Sequence, residues 1–391
     1  MAVLLGAKPP IPTAQFVIGE SKTFTAPMTG TIKVIITGGG GQGAFLANKN
    51  STPNSNVGDA TGGGAGGYSE KTFAVTAGET FTITVGAGGS SALAPNDINS
   101  SRVGNAGANS SFVTASAAVS VNMAANGGGA GQFSAATSSA VTTAGGTGGT
   151  ASGGDFNYTG GAGGSITRVA NNSKSAMTTG GGAVALYGTT YRGGNITLGT
   201  ANESSYMIGS TGGAGVGGNG GDIAFSGTGS NARFSAGGSA SRSGASDESG
   251  SGMSTSIIMA ETPGAPMTSS TISLIDAQGF AYGGMYSYNA SPSVSTSGFG
   301  GGGGGATGYN QTPSYQYFYS YAGTAGGFGG GGGCTFVSGV DYLSTGQVRA
   351  GPGGTGGGGS GAYSGPFSTM TSATYRSWAA AGDGLCIIMY I

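Results

Sequence analysis

Runs of nearly pure glycine recur along the chain: GGGAGG at 62–67, GGGAG at 127–131, GGTGG at 145–149, GGAGG at 160–164, GGAGVGGNGG at 212–221, GGFGGGGG at 326–333 and GPGGTGGGGSG at 351–361. A glycine run has no side chains with which to bury apolar surface, and glycine loses more conformational freedom on folding than any other residue. Its N–H and C=O groups must therefore be satisfied collectively. An α-helix does not fit, because glycine costs about 1 kcal/mol per position in a helix interior and no helical apolar spacing accompanies the runs. Collagen does not fit either, because glycine does not recur strictly at every third position with abundant proline. What fits is the extended left-handed threefold helix of the polyproline II type, which rises ~3.1 Å per residue and has no internal hydrogen bonds. Rods of this kind, free of side chains, pack closely and bond to one another in three directions. Any large side chain facing a neighbour wedges the rods apart, so Phe299 and Phe328 are expected to point outward.

Composition then narrows the class. Glycine supplies 89 of 391 residues, whereas charged residues make up only 7% and the net charge is -1. Lysine and arginine are scattered singly, so no basic stripe exists to follow a phosphate backbone, and nucleic-acid binding is not expected. The start, MAVLLGAKPPIPT, lacks the basic-then-apolar layout of a secretory signal. The longest apolar run, LCIIMYI at the C-terminal end, falls far short of the ~20 residues that cross a bilayer. Cys334 and Cys386 have no CxxC spacing, so neither a metal site nor a disulfide framework is expected, and Cys386 reads as a buried free thiol.

Histidine is absent, which removes Ser-His-Asp triads, Cys-His pairs and His-based metal sites together. The acids are isolated apart from Asp247-Glu248, so nothing marks out a glycosidase pair. Asp59, Asp155, Asp222 and Asp383 lie near glycines without the period of a calcium-binding repeat, and are expected to be solvated or turn residues. The GxGxxG match at 213–218 follows no strand pattern and opens no helix, so it carries no dinucleotide site. No catalytic residue, cofactor or metal is expected.

The fold class expected is mostly β and irregular, with essentially no α-helix. KTFTAPMTGTIKVIITG condenses into the β-branched run Ile32 to Thr37. Residues 71–76 and 80–85 read as a strand pair across the short loop Ala77-Gly78-Glu79. GDGLCIIMYI reads as a strand needing apolar cover on both faces. These pieces are expected to form one small sandwich or sheet that joins the two chain ends. The organisation expected is an attachment segment at 1–30, a β element at 31–89 with 385–391, and a polyglycine II bundle with long loops at 90–384. The glycine runs have no fixed period, so a regular solenoid is not expected.

Three stretches resemble the glycine-rich tail-fibre tip proteins, or adhesins, of tailed bacteriophages: FTAPMTGTIKVIITGGGGQGA, GGGAGGYSEKTFAVTAGETFTITVGAGG and the closing GDGLCIIMYI. The likeness is specific over about residues 23–89, weak over the last ten, and compositional between 120 and 380. It implies rods of polyglycine II in a sandwich, with loops at the far end that bind a bacterial surface polysaccharide or outer-membrane protein. It also implies a virion location at the fibre tip after synthesis in the host cytoplasm, with the N-terminal region joined to another fibre or virion protein. No binding residue transfers through the resemblance. The residues themselves nominate Tyr309, Tyr315, Tyr317, Tyr319, Tyr321 and Trp378 as receptor contacts. Tyrosine combines large area, few rotatable bonds and a hydroxyl, and positions 315 to 321 alternate onto one face of an extended chain. Packing against the flank of the bundle is the competing role for these rings.

Counting rods up and down places 306–325 at the far end and 334–350 beside the sheet. The leading reading is a non-enzymatic receptor-binding protein. The alternatives are a structural decoration or capping protein, an ice-binding protein of less regular spacing than glycine-rich antifreeze proteins, and a capsule depolymerase.

Overall fold

The computed structural model describes residues 14–47, 58–90, 102–135, 139–170, 175–178, 180–182, 190–199, 208–210, 219–225, 233–234, 248–249, 310–312, 315–317, 331, 335–337, 347–349, 353–354, 356–359, 362–364, 375–377 and 380–391. Among them there are strands and irregular extended segments and no helix, as the glycine content requires.

Two antiparallel five-stranded sheets pack face to face. The first runs in the order Ala14–Ile18, Leu385–Tyr390, Gly30–Thr37, Tyr68–Val75 and Phe156–Tyr158. The second runs Ala151–Ser152, Asn122–Ala125, Ser110–Ser116, Thr80–Thr84 and Lys22–Thr25. Period-two alternation puts Ile32, Val34 and Ile36 on the inner face beside Cys386, Ile388 and Tyr390 of the paired strand. Across the gap lie Phe81, Ile83, Phe112 and Met123. Phe81 stacks on Phe112 with ring centroids 4.9 Å apart, and Phe73 meets Phe81 edge-on at 5.7 Å.

The sandwich thus unites both chain ends, as expected, but draws on more of the chain. Residues 14–25 contribute two of its strands, and 110–158 contribute four more. One expected pairing is corrected. Tyr68–Val75 and Thr80–Thr84 belong to different sheets and are not a hydrogen-bonded hairpin. Both carry aromatic or branched residues on one face (Phe73 and Val75, Phe81 and Ile83), and facing them across the core buries both sets. The intervening turn includes Gly78 at φ 91°, a conformation that other residues adopt only with strain.

Beyond the sandwich the strands continue as glycine rods joined by backbone hydrogen bonds. In the rod that follows Gly30–Thr37, the N–H groups of Gly38 and Gly41 donate to Gly67 and Gly64, those of Gly39 and Gln42 to Ala108 and Asn105, and that of Gly40 to Gly382. The partner repeats every third residue, which is the signature of a threefold extended helix. Its carbonyls accept from three further rods, through Gly128 and Gly131, Gly359, and Gly89. The 62–67 rod is likewise surrounded by six, bonding to the rods that contain Gly129, Gly359, Gly161, Gly146, Gly181 and Gly41. These two rods are the axis of a hexagonal array, and every residue of 36–45 and 58–67 is buried. A Cβ on Gly64 would overlap the Thr147 carbonyl oxygen, and one on Gly63 that of Gly41. Close approach of backbones is therefore what excludes side chains here.

At the far end the rods pass into short strands stacked in parallel. Ile166–Arg168, Ile196–Leu198 and Ile223–Phe225 form one array, each following a rod that leaves the sandwich. Gly58–Ala60, Ser175–Met177, Ile208–Ser210 and Arg233–Phe234 form another, running back toward it. A third stacks Thr335–Val337 on Ala362–Ser364 and Phe45–Ala47.

This third array corrects the rod count. Phe45–Ala47 follows the 38–44 rod outward, so Thr335–Val337, parallel to it across Ala362–Ser364, also lies at the far end and not beside the sheet. The error comes from treating 351–361 as one rod. Gly353 bonds in parallel with the 380–384 segment, then the Gly357 N–H closes a turn on the Gly354 carbonyl, with Gly356 at φ 71°. The chain reverses there, so one glycine run holds parts of two rods.

Candidate functional site at the far end

The two ends of the molecule differ in how their strands are joined. Among the described residues, the connections at the sandwich end are tight turns at 26–29, 76–79, 117–121 and 153–155. At the far end the connections from Phe45–Ala47 to Gly58–Ala60, from Ile196–Leu198 to Ile208–Ser210 and from Ala362–Ser364 to Tyr375–Ser377 leave and return on long segments. Loops held by a rigid scaffold are where binding residues concentrate.

The base of this end is a buried polar layer. Asp59 of Gly58–Ala60 and Arg168 of Ile166–Arg168 form an ion pair with neither side chain exposed. The Arg168 guanidinium bonds both Asp59 oxygens, and the Thr143 hydroxyl donates to Oδ2 at 3.1 Å. Burial pushes the Asp59 carboxyl up, and the opposing pull of Arg168 and Thr143 is smaller, so it stays above the ordinary carboxylate range. The expectation that Asp59 is a solvated or turn residue is therefore overturned. Nearby, the Thr178 hydroxyl donates to the Gly164 carbonyl and accepts from the Gly62 N–H, and the Thr61 hydroxyl donates to Ala144. These bonds satisfy the rod ends where glycine gives way to larger residues.

A second polar device recurs through the sequences GGSIT at 163–167, GGNIT at 193–197 and GGDIA at 220–224. The isoleucines form one ladder, Ile166, Ile196 and Ile223, which with Leu198 makes a small buried cluster. The residue before each isoleucine caps its neighbour. Asp222 Oδ1 accepts the Asn195 N–H at 2.8 Å, Asn195 Oδ1 accepts the Ser165 N–H at 2.8 Å, and Ser165 Oγ accepts the Gly145 N–H at 3.3 Å. Arg192 clamps Asp222 with two bonds of 2.7 Å. Burial would raise the Asp222 carboxyl, but the Arg192 bonds and the Asn195 N–H outweigh it and hold it below the ordinary range. The sequence reading missed this ladder, although the thrice-repeated Gly-Gly-polar-Ile was its signal. The fixed-period test fails because the segments between the rungs differ in length.

The other two aspartates do sit in exposed places. Asp155 lies in the turn before Phe156–Tyr158, paired with Lys71, and Asp383 accepts the Gly88 N–H at 2.7 Å. Cys386 is buried and free, and burial pushes its thiol up to about 12.

Of the nominated receptor contacts, Tyr315 and Tyr317 belong to the strand Tyr315–Tyr317, which pairs antiparallel with Asn310–Thr312. Tyr309, Tyr319, Tyr321 and Trp378 lie outside the described residues, as do Phe299, Phe328 and Cys334. Trp378 directly follows Tyr375–Ser377, which pairs in parallel with Gln347–Arg349 and leads into the 380–384 rod. The count that put 306–325 at the far end loses its basis with the corrected rod direction. Among the described residues no cluster of three or more His, Cys, Asp or Glu is arranged to hold a metal.

Among curated proteins, none matches the chain. Residues 16–252, more than half of the sequence and the part that supplies most of the sandwich strands, the central rods and the isoleucine ladder, match the glycine-rich domain family, and the chain belongs to that family.

Proposed function

We propose that this protein is a non-enzymatic component of a bacteriophage particle, located at the tail-fibre tip, that attaches to a bacterial surface receptor through the connections at the far end of the rod bundle. The observation that carries this reading is the asymmetry of the two ends: tight turns close the sandwich, and long Ser-, Thr- and Asn-rich connections join the parallel strand stacks opposite. A hexagonal array of backbones costs no large side chains and gives those connections a stiff base. The partner chemistry that suits them is a surface polysaccharide or the outer loops of an outer-membrane protein, met by hydroxyl, amide and aromatic groups.

The test is binding of the labelled, purified full chain to a panel of bacterial strains. Saturable binding to some strains, competed by unlabelled protein, supports the reading. Replacing residues 365–374 with a Gly-Ser segment of equal length should weaken binding without unfolding the sandwich. Absence of binding to every strain that the parent particle infects overturns it and leaves a decorating or capping role.

A further inference from the structure

A sandwich of two open sheets has four edge strands, and three of them are blunted. Ala151–Ser152 has two residues and Phe156–Tyr158 three, the latter flanked by the charged pair Lys71–Asp155. Lys22–Thr25 begins with an exposed lysine. Short length and charge are the usual devices that keep sheet edges from pairing with other chains. The fourth edge, Ala14–Ile18, has neither. Its five residues, AQFVI, carry no charge, and one side pairs with Leu385–Tyr390 in unbroken register. No hydrogen bond joins its other side to a described residue.

The outer face beside this edge is apolar where a solvated sheet is normally polar. Val17 is 61% exposed, and it aligns with Ile387, which aligns in turn with Ile35. Leu385 and Met389 flank the row on the central strand and are only half-buried. The sequence LCIIMYI asks for apolar cover on both faces. The second sheet covers one of them, and the described residues leave the other open.

We propose that the Ala14–Ile18 strands of two copies of this chain pair antiparallel about a twofold axis, extending the first sheet across a homodimer. The register that uses all five residues centres on Phe16 and sets Gln15 opposite Val17 of the second copy. An uncharged strand is self-complementary in this arrangement, because no like charges meet. In this register the row Ile35, Ile387, Val17 meets Gln15 and Met389 of the second copy, and the Val17 residues of the two copies lie on the same face as diagonal neighbours. Twofold pairing is also the commonest form of self-association. This inference is independent of the receptor reading, since it concerns the opposite end of the molecule.

Sedimentation of the full chain from low to high micromolar concentration tests it, with dimer expected. Gln15→Lys combined with Val17→Lys sets two lysine pairs directly opposite and should weaken association at least about tenfold. Gln15→Glu combined with Val17→Lys sets opposite charges in the same places and should restore it. Both sites point outward, so thermal unfolding should change little and serves as the control for folding. A wild-type chain that stays monomeric throughout the range overturns the proposal. So does a dimer that is indifferent to the lysine pair, or a failure of the opposite-charge variant to recover association.

Discussion

Asp59 and Arg168, 109 residues apart in the chain, meet as a fully buried ion pair between strands of opposite direction. Asp59 begins a return to the sandwich and Arg168 ends a departure from it, so the pair ties the two strand arrays at the base of the far-end connections. Removing one partner of such a pair leaves a buried charge without compensation, which costs about 3–5 kcal/mol. Arg168→Met is therefore expected to lower stability at neutral pH by that amount. The loss should shrink on acidification. Without Arg168 only burial and Thr143 act on the Asp59 carboxyl, and burial raises it. A raised folded-state value gives stability below the unfolded carboxyl range that is lost as pH rises. Denaturant unfolding at about pH 4.5 and about pH 7.5 checks this; an equal deficit at both would refute it. Asp59→Leu with Arg168→Met should recover much of the loss.

The rod lattice separates glycines needed for contact from glycines that are not. Gly64→Ala places a methyl against the Thr147 carbonyl in a rod with six neighbours, and overpacking of this kind costs about 1–3 kcal/mol or more. Gly19→Ala meets nothing within 4 Å and is not at a positive φ, so it should be neutral or stabilise by up to about 1 kcal/mol. Gly78→Ala has equal space but a φ of +91°, and should cost about 1–2 kcal/mol from backbone strain alone. Melting temperatures of the three variants give the ranking: Gly19→Ala highest, Gly64→Ala lowest.

That ranking also shows what could be read from the sequence. Glycine runs announce rods because no other structure satisfies their backbone, and Gly30–Thr37 and Leu385–Tyr390 announce strands by apolar periodicity. What could not be read depends on partners distant in the chain. Tyr68–Val75 and Thr80–Thr84 look like a hairpin locally, and only the facing of Phe73 against Phe81 places them in separate sheets. Gly356 looks like any other glycine in its run, yet its positive φ reverses the chain and flips the direction assigned to the rod before it. Asp59 has solvated neighbours by composition, and its burial depends on an arginine that no spacing rule connects to it.

Acid should destabilise the sandwich through its turns. Glu79 accepts the N–H groups of Ala118 and Thr76 at 2.8 and 2.9 Å, which holds its carboxyl below the ordinary range. Asp155 is lowered likewise, by the Thr72 N–H and then by Lys71. A folded-state value depressed below the unfolded one contributes stability above about pH 4, and the contribution is lost as pH falls through the folded value. Thermal stability should therefore hold from neutral pH to about pH 5 and decline below about pH 4. Glu79→Gln should make that decline shallower. An unchanged slope in the variant would remove Glu79 from the account.

The capping ladder predicts an effect that moves from one rung to the next. Asn195 accepts the Ser165 N–H with its side chain while its own N–H is capped by Asp222. Asn195→Ala strips the cap from Ser165 and leaves the Asp222 bond intact, at a cost of about 1–3 kcal/mol for a part-buried donor left unpaired. Asn195→Asp keeps an acceptor in place and should retain most of the stability. Amide exchange distinguishes a local role from a general one. In Asn195→Ala the Ser165 amide should lose protection, with Ile166 following as the parallel pairing to Ile196 loosens. Amides of the sandwich core, such as those of the paired residues Val34 and Ile388, should stay protected. Uniform loss of protection across both regions would mean that the ladder is a global stability element and not a device of the far end.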